Sequence, residues 1–437
     1  MGYVPATPAE KQEMLESLGY QREEDLYADI PQEVLLGREM EIPACGDEIN
    51  TLKRVSHYAE KNKIYRDVFL GAGAYRHFIP AALDALASRG EFVTAYTPYQ
   101  AEMSQGILQG IFEYQTMICE LTGMEVSNAS VYDGASATGE ACLMARERGR
   151  NRILLSEGLN PQVVQTVKTY AAPLGMPVEV VGLKDGKTDF VALKEKLGDD
   201  VAAVVVASPN YYGLLENLEG CAETVHESGA KLVAYTNPIA AALLKTPGEQ
   251  GADITVGDGQ PLGMPLAFGG PYVGYIACTK KLMRKMPGRM VGQTQDAKGN
   301  RAFVLTLQAR EQHIRREKAG SNICSNQAWC ALRAAMYMTM MGRDGMREVA
   351  LQCYANAHYL AEELEKLGFD RVYDGEFFHE FITTASADAD VVQAALDKED
   401  ILGGLAQPNG SILWCATELT GKEEIDNLIN VLKGVAK

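Results

Sequence analysis

None of the nine cysteines stands in a Cys-x-x-Cys pair, so the spacing of a zinc ribbon or a thioredoxin-like redox motif is missing from the 437 residues. An odd number of scattered thiols fits small core residues in a reducing cytoplasm, not a disulfide framework. Only six histidines occur, none in a His-x-x-x-His pair, and no metal centre is expected. A Gly-x-Ser-x-Gly elbow is also lacking, which removes the usual serine-hydrolase signature. No stretch approaches the roughly 20 apolar residues that span a bilayer. The start, Met-Gly-Tyr-Val-Pro, has neither the basic segment nor the apolar run of a secretory signal, so a soluble cytoplasmic protein is expected. A net charge of -17 disfavours general binding to nucleic acid or membrane surfaces, which are themselves anionic.

What is present reads as an ordinary globular chain, 46% hydrophobic and 23% charged, long enough for two or three structural units. Residues 1–60 read as a charged helical arm. Thr7-Pro8-Ala9-Glu10 has the capping-box pattern of a helix start, and a hairpin-like helix pair is expected through Leu35 and Ile49. Residues 61–318 read as a large α/β domain. Ile107, Ile111, Tyr114, Ile118 and Leu121 recur at helical spacing up to Gly123. Strands are predicted from Ile153 to Ser156, Val178 to Gly182, Val201 to Ala207, Lys231 to Tyr235, Ile254 to Val256 and Tyr272 to Cys278. Helices fall between them, so a mostly parallel central sheet with flanking helices is expected. Residues 319–437 read as a small C-terminal α+β domain. It has a long helix from Asn326 to about Met341, a second from Leu360 to Leu367, and strands near Phe377 to Thr383 and Ile412 to Ala416. Its last helix is opened by Thr420-Gly-Lys-Glu423 as a capping box.

Open α/β sheets place ligands beyond the carboxyl ends of their strands, and several loops there are chemically specific. Gly71-Ala-Gly-Ala-Tyr75-Arg76-His77 combines glycines that permit unusual backbone angles with three polar side chains; it reads either as a tight turn with a polar tip or as a contact loop. In Tyr96-Thr-Pro-Tyr99-Gln-Ala-Glu102 a proline stiffens a loop carrying two tyrosines. Ligand or partner contact and a structural hydroxyl network are both open there. The segment Gly257 to Pro271 is rich in glycine and proline but is no phosphate-gripping motif, since no helix follows it. Between residues 280 and 318 eleven Lys/Arg stand against three Asp/Glu, a reversal of charge that marks either a solvated basic face or an anionic partner.

Read together, five segments resemble the P-protein of the glycine cleavage system, specifically the N-terminal (alpha) subunit of its split form. They are Phe69-Leu-Gly-Ala-Gly-Ala-Tyr75-Arg76-His77, Tyr96-Thr-Pro-Tyr-Gln100, Tyr132-Asp-Gly-Ala-Ser-Ala-Thr138, Gly259-Gln260-Pro-Leu-Gly and His313-Ile-Arg-Arg-Glu-Lys-Ala-Gly-Ser-Asn-Ile-Cys324. The resemblance covers most of the chain and implies the fold-type I architecture of pyridoxal-phosphate (PLP) enzymes. It implies a glycine decarboxylase that works with a second (beta) subunit, in an α2β2 assembly. Glycine is held through PLP, CO2 leaves, and the aminomethyl group passes to the lipoyl arm of H-protein, with T- and L-proteins in the same system.

Set beside the sister subunit, this chain carries Glu157 where a histidine stacks on the PLP ring and Thr236-Asn237 near its ring-nitrogen aspartate. Gln260 stands at the Schiff-base lysine. A glutamine cannot form an aldimine, so the resemblance implies that PLP is bound by the partner and that this chain completes the partner's site. Tyr75, His77, Tyr96 and Tyr99 are then candidates to reach the glycine–PLP adduct, Ser321 and Asn322 the PLP phosphate, and Arg315 and Arg316 to dock H-protein or the sister subunit. The alternatives are an autonomous aminotransferase- or desulfurase-like PLP enzyme using another lysine, such as Lys280, and a regulatory scaffold without catalysis.

Overall fold

The computed structural model describes residues 6–38, 40–42, 46–308, 314–320 and 323–435. The chain divides into two compact units, Met1–Lys63 and Ile64–Lys437. In the first, Thr7 caps the Pro8–Ser17 helix through the expected reciprocal bonds: the Glu10 N–H donates to Thr7 Oγ1 at 3.3 Å, and the Thr7 N–H donates to Glu10 Oε2 at 2.7 Å. The expected helix pair through Leu35 and Ile49 is only half right. Short 3-10 turns at Glu23–Tyr27 and Gln32–Val34 precede the Glu48–Ala59 helix, and Pro31 and Gly37 break the pattern that a helix through Leu35 would need.

The second unit is built on a seven-stranded sheet. Its strands are β1 (Val126–Ser127), β2 (Arg152–Ser156), β3 (Val178–Val181), β4 (Val201–Ala207), β5 (Lys231–Tyr235), β6 (Ile254–Asp258) and β7 (Gly274–Cys278), in the spatial order β1-β7-β6-β5-β4-β2-β3. From β3 to β6 all neighbours are parallel, whereas β7 runs antiparallel to both β6 and β1. The reversal follows from connectivity: no helix lies between β6 and β7, and a parallel return requires a crossover of a dozen or more residues, usually helical. Every residue of β4 is buried, because helices cover both faces of the sheet. Ala203, Val205 and Ala207 enter one apolar cluster and Val204 and Val206 the other, the two-residue alternation of a strand.

The helix predicted up to Gly123 forms as Gln105–Thr122, and Gly123 closes it at φ +69°. The two helices predicted after Asn326 are one run, Asn326–Glu365, interrupted only at Gly342 (φ +61°). A three-stranded antiparallel sheet of Glu380–Thr383, Ile412–Cys415 and Leu405–Ala406 covers a third apolar cluster around Trp414, Leu360 and Leu428. Asp67–Val68 pairs with Ile401–Leu402, and Phe69 is buried in this third cluster, so the segment at the start of the second unit packs among residues from its end. Thr420 does not cap the Lys422–Leu432 helix, because its hydroxyl donates to the Thr417 carbonyl and accepts the Thr417 N–H at 2.9 Å. The basic stretch contains an unforeseen hairpin, Val291–Gln295 with Arg301–Leu305.

Candidate functional site

The carboxyl ends of β2, β4, β5 and β6 converge as expected, and the loop of residues 71–78 lies across them, held by side chains from distant parts of the chain. Glu380 takes the Ala72 N–H on one oxygen (2.6 Å) and the Tyr75 hydroxyl on the other (2.7 Å). Asn160 donates to the Ala72 carbonyl at 2.9 Å and Thr417 to the Arg76 carbonyl at 2.8 Å. Glu418 accepts the Phe78 N–H at 2.6 Å and lies 2.7 Å from His77 Nδ1. Burial opposes ionisation of Glu418, but His77 and the Phe78 N–H outweigh it and keep the carboxyl below its usual range. The buried Cys353 thiol points at the same carboxylate, 3.3 Å away. Ala72 adopts φ +62°, a conformation that non-glycine residues hold only under constraint, and these bonds supply the constraint.

Gln260 is the centre of this arrangement. Its Oε1 accepts the Tyr75 N–H at 2.9 Å, while its Nε2 donates to the Tyr75 carbonyl (2.8 Å) and to the Met264 carbonyl (2.9 Å). The side chain is 1% exposed, and every donor its amide has is used. Asp258 accepts the N–H groups of Gly134 (3.0 Å) and Gln260 (2.8 Å), tying the Gly134–Ala145 helix to the end of β6.

Beside Gln260 lies a cavity of about 50 Å³, lined by Asn160, Tyr235, Asn237, Asp258, His379 and Glu380 among others. Burial pushes the carboxyls of both Asp258 and Glu380 up to about 7. Burial and the neighbouring His77 push His379 well below the usual imidazole range, so its ring is neutral.

The structure brings some of the sequence-predicted residues together and scatters others. Tyr75 lines the cavity with its hydroxyl committed to Glu380, and His77 is buried against Glu418. Thr236 and Asn237 line the cavity; Glu157 is exposed and does not. Tyr96 is 70% exposed. Tyr99 instead packs its ring under the Arg289 guanidinium, 3.8 Å from the ring centre, with side-chain hydrogen bonds to Ser325 and Arg289. Arg315 and Arg316 are exposed, and Ser321 and Asn322 lie outside the described residues. Asn160, Asp258, His379, Glu380 and Glu418 escaped the sequence reading. The one available signal was the polar pair His379-Glu380 inside the apolar run Phe377 to Ile382, where a strand core should hold no charge.

Comparison with known proteins adds identity to this geometry. The family model described as glycine cleavage system P-protein matches residues 1–432. The probable glycine dehydrogenase (decarboxylating) subunit 1 of Moorella thermoacetica is 47% identical over 443 residues, covering 100% of both chains. A crystal structure of glycine decarboxylase (P-protein) of the glycine cleavage system, in inhibitor-bound form, superposes with a TM-score of 0.92 at 43% identity over 100% of both chains. An alanine–glyoxylate aminotransferase from Nostoc shares the fold at 16% identity, with a TM-score of 0.61 over 93% of this chain and 99% of that one. The architecture is thus that of fold-type I PLP enzymes.

Proposed function

The chain belongs to the glycine cleavage system P-protein family, and from that membership we propose that it is the glycine decarboxylase subunit that completes an active site whose PLP is held by a sister chain. The observation that carries this reading is Gln260. Its amide is spent on the backbone at Tyr75 and Met264, and among the described residues no lysine lines the cavity beside it. The residues present do not fit PLP. The cavity of about 50 Å³ is far below the several hundred Å³ of an ordinary cofactor pocket. Asn237, in the neighbourhood matched to the ring-nitrogen aspartate, is a neutral amide whose oxygen is taken by the N–H groups of Ile239 and Ala240.

What this chain offers a partner is a pinned loop and an exposed surface. Arg76, Phe78 and Tyr96 face outward, whereas Tyr75 and His77 hold the loop from within. Tyr75 and His77 therefore act on the reaction by positioning the loop, and Tyr96 is the tyrosine free to reach the partner's bound glycine. Ser321 and Asn322 remain assigned to the partner's PLP phosphate, and the exposed Arg315 and Arg316 to docking the lipoylated H-protein that takes the aminomethyl group. The T- and L-proteins belong to the same system.

The experiment is direct. The chain is purified alone, given PLP, reduced with borohydride and assayed for glycine–bicarbonate exchange. No reductively fixed cofactor, with exchange appearing only when the sister subunit is added, is the expected result. Covalently labelled chain would overturn the proposal.

A further inference from the structure

The cavity beside Gln260 is lined by more polar groups than the pinning of the loop consumes. It is lined by the carboxyls of Asp258 and Glu380, each of which accepts two hydrogen bonds and retains further lone-pair capacity, and among the described residues no lysine or arginine lines it. Buried carboxyls without a basic partner are costly to ionise, and the position of both near 7 reflects that cost. An ammonium group beside them would supply the positive charge whose absence keeps both carboxyls protonated, so the cavity suits one.

The opposite polarity is present as well. Asn237 Oδ1 accepts the N–H groups of Ile239 and Ala240, which fixes Nδ2 as the donor toward His379 Nε2, 3.4 Å away. That assignment leaves the proton of the neutral His379 ring on Nδ1. His379 is 1% exposed, and its Nδ1 has no hydrogen-bond partner. A buried N–H donor without an acceptor costs about 1–3 kcal/mol, and His379 lines this cavity. A guest carboxylate brought against Nδ1 would satisfy it, and Asn160, which also lines the cavity, has a second amide hydrogen to offer.

Size then limits the guest. One water needs about 10–15 Å³ of such volume, so the cavity of about 50 Å³ holds the equivalent of a few waters, or a molecule of about five non-hydrogen atoms. We propose that this cavity is a binding site for a glycine-sized amino acid zwitterion, its ammonium group toward Asp258 and Glu380 and its carboxylate toward His379 and Asn160. The inference rests on the proposed function only in that the cavity holds no PLP of its own.

Isothermal titration of the isolated full-length chain, stripped of PLP, tests it. Glycine should bind saturably. Methylammonium and acetate, each carrying half of the recognition, should bind at least about tenfold more weakly, and phenylalanine should not bind. Glu380→Gln should abolish glycine binding. Because that change also loosens the loop, Ala207→Leu, which fills the cavity from β4 without removing a polar group, should abolish it independently. Absence of saturable glycine binding, or binding unchanged in Ala207→Leu, overturns the proposal. Borohydride labelling of the chain bears on the proposed function alone, so the two failures are distinguishable.

Discussion

Gln260 and Tyr75 exchange two hydrogen bonds, side-chain amide to backbone, at 2.9 and 2.8 Å. A glutamine has one donor group and one acceptor placed side by side, as a peptide does, so it pairs with a backbone unit as one strand pairs with another. A lysine at 260 could do only the donating half. The Gln260 side chain thereby closes the loop of residues 71–78 onto the sheet.

Gln260→Ala should destabilise the chain by about 2–4 kcal/mol, because it leaves the Tyr75 N–H and the carbonyls of Tyr75 and Met264 buried without partners. Urea unfolding monitored by circular dichroism checks this. The same variant, mixed with the sister subunit, should lose exchange activity through a loosened loop, and the loss should be partly recovered at lower temperature.

Stability should fall as pH rises through neutrality. Glu380 has an ordinary value of 4.5 raised to about 7, and Asp258 one of 3.8 raised to about 7. Such groups are held protonated in the folded chain, so their contribution is fully present below the unfolded value and is lost as pH climbs through 7. For each carboxyl the difference is on the order of 3–4 kcal/mol. Glu380→Gln and Asp258→Asn should each flatten the dependence of the melting temperature between about pH 5 and pH 8, even if each lowers its maximum. A wild-type curve flat over that window would exclude buried carboxyls of this kind.

Tyr96 and Tyr99 should separate cleanly. Tyr96 is exposed, so Tyr96→Ala should leave stability within about 0.5 kcal/mol while lowering exchange activity with the sister subunit. Tyr99→Ala removes a half-buried ring from under Arg289 and should cost about 2–3 kcal/mol. Thermal melts of the single chain, set against activity of the mixture, distinguish the two.

Charge reversal at Arg315 and Arg316 should raise the KM for lipoylated H-protein severalfold, with the melting temperature unchanged, because both side chains are exposed. The effect should shrink at high salt, as screening removes the same attraction from the wild type. An unchanged KM, with the two subunits still associating, would remove these arginines from docking.

The strands β2 and β4 to β6, the Gln105–Thr122 helix and the Thr7 cap were legible from the chain alone, because periodicity, capping and burial on both faces leave local patterns. The family was legible too, since it is written in contiguous motifs. Tertiary structure alone decided what Gln260 holds. The partners of Gln260, Glu380 and Glu418 lie 185, 308 and 341 residues away in sequence, distances at which no local pattern carries information. It also turned Tyr75 and His77 inward and left Tyr96 outside, a choice that depends on which buried carboxylates the folded sheet brings beneath the loop.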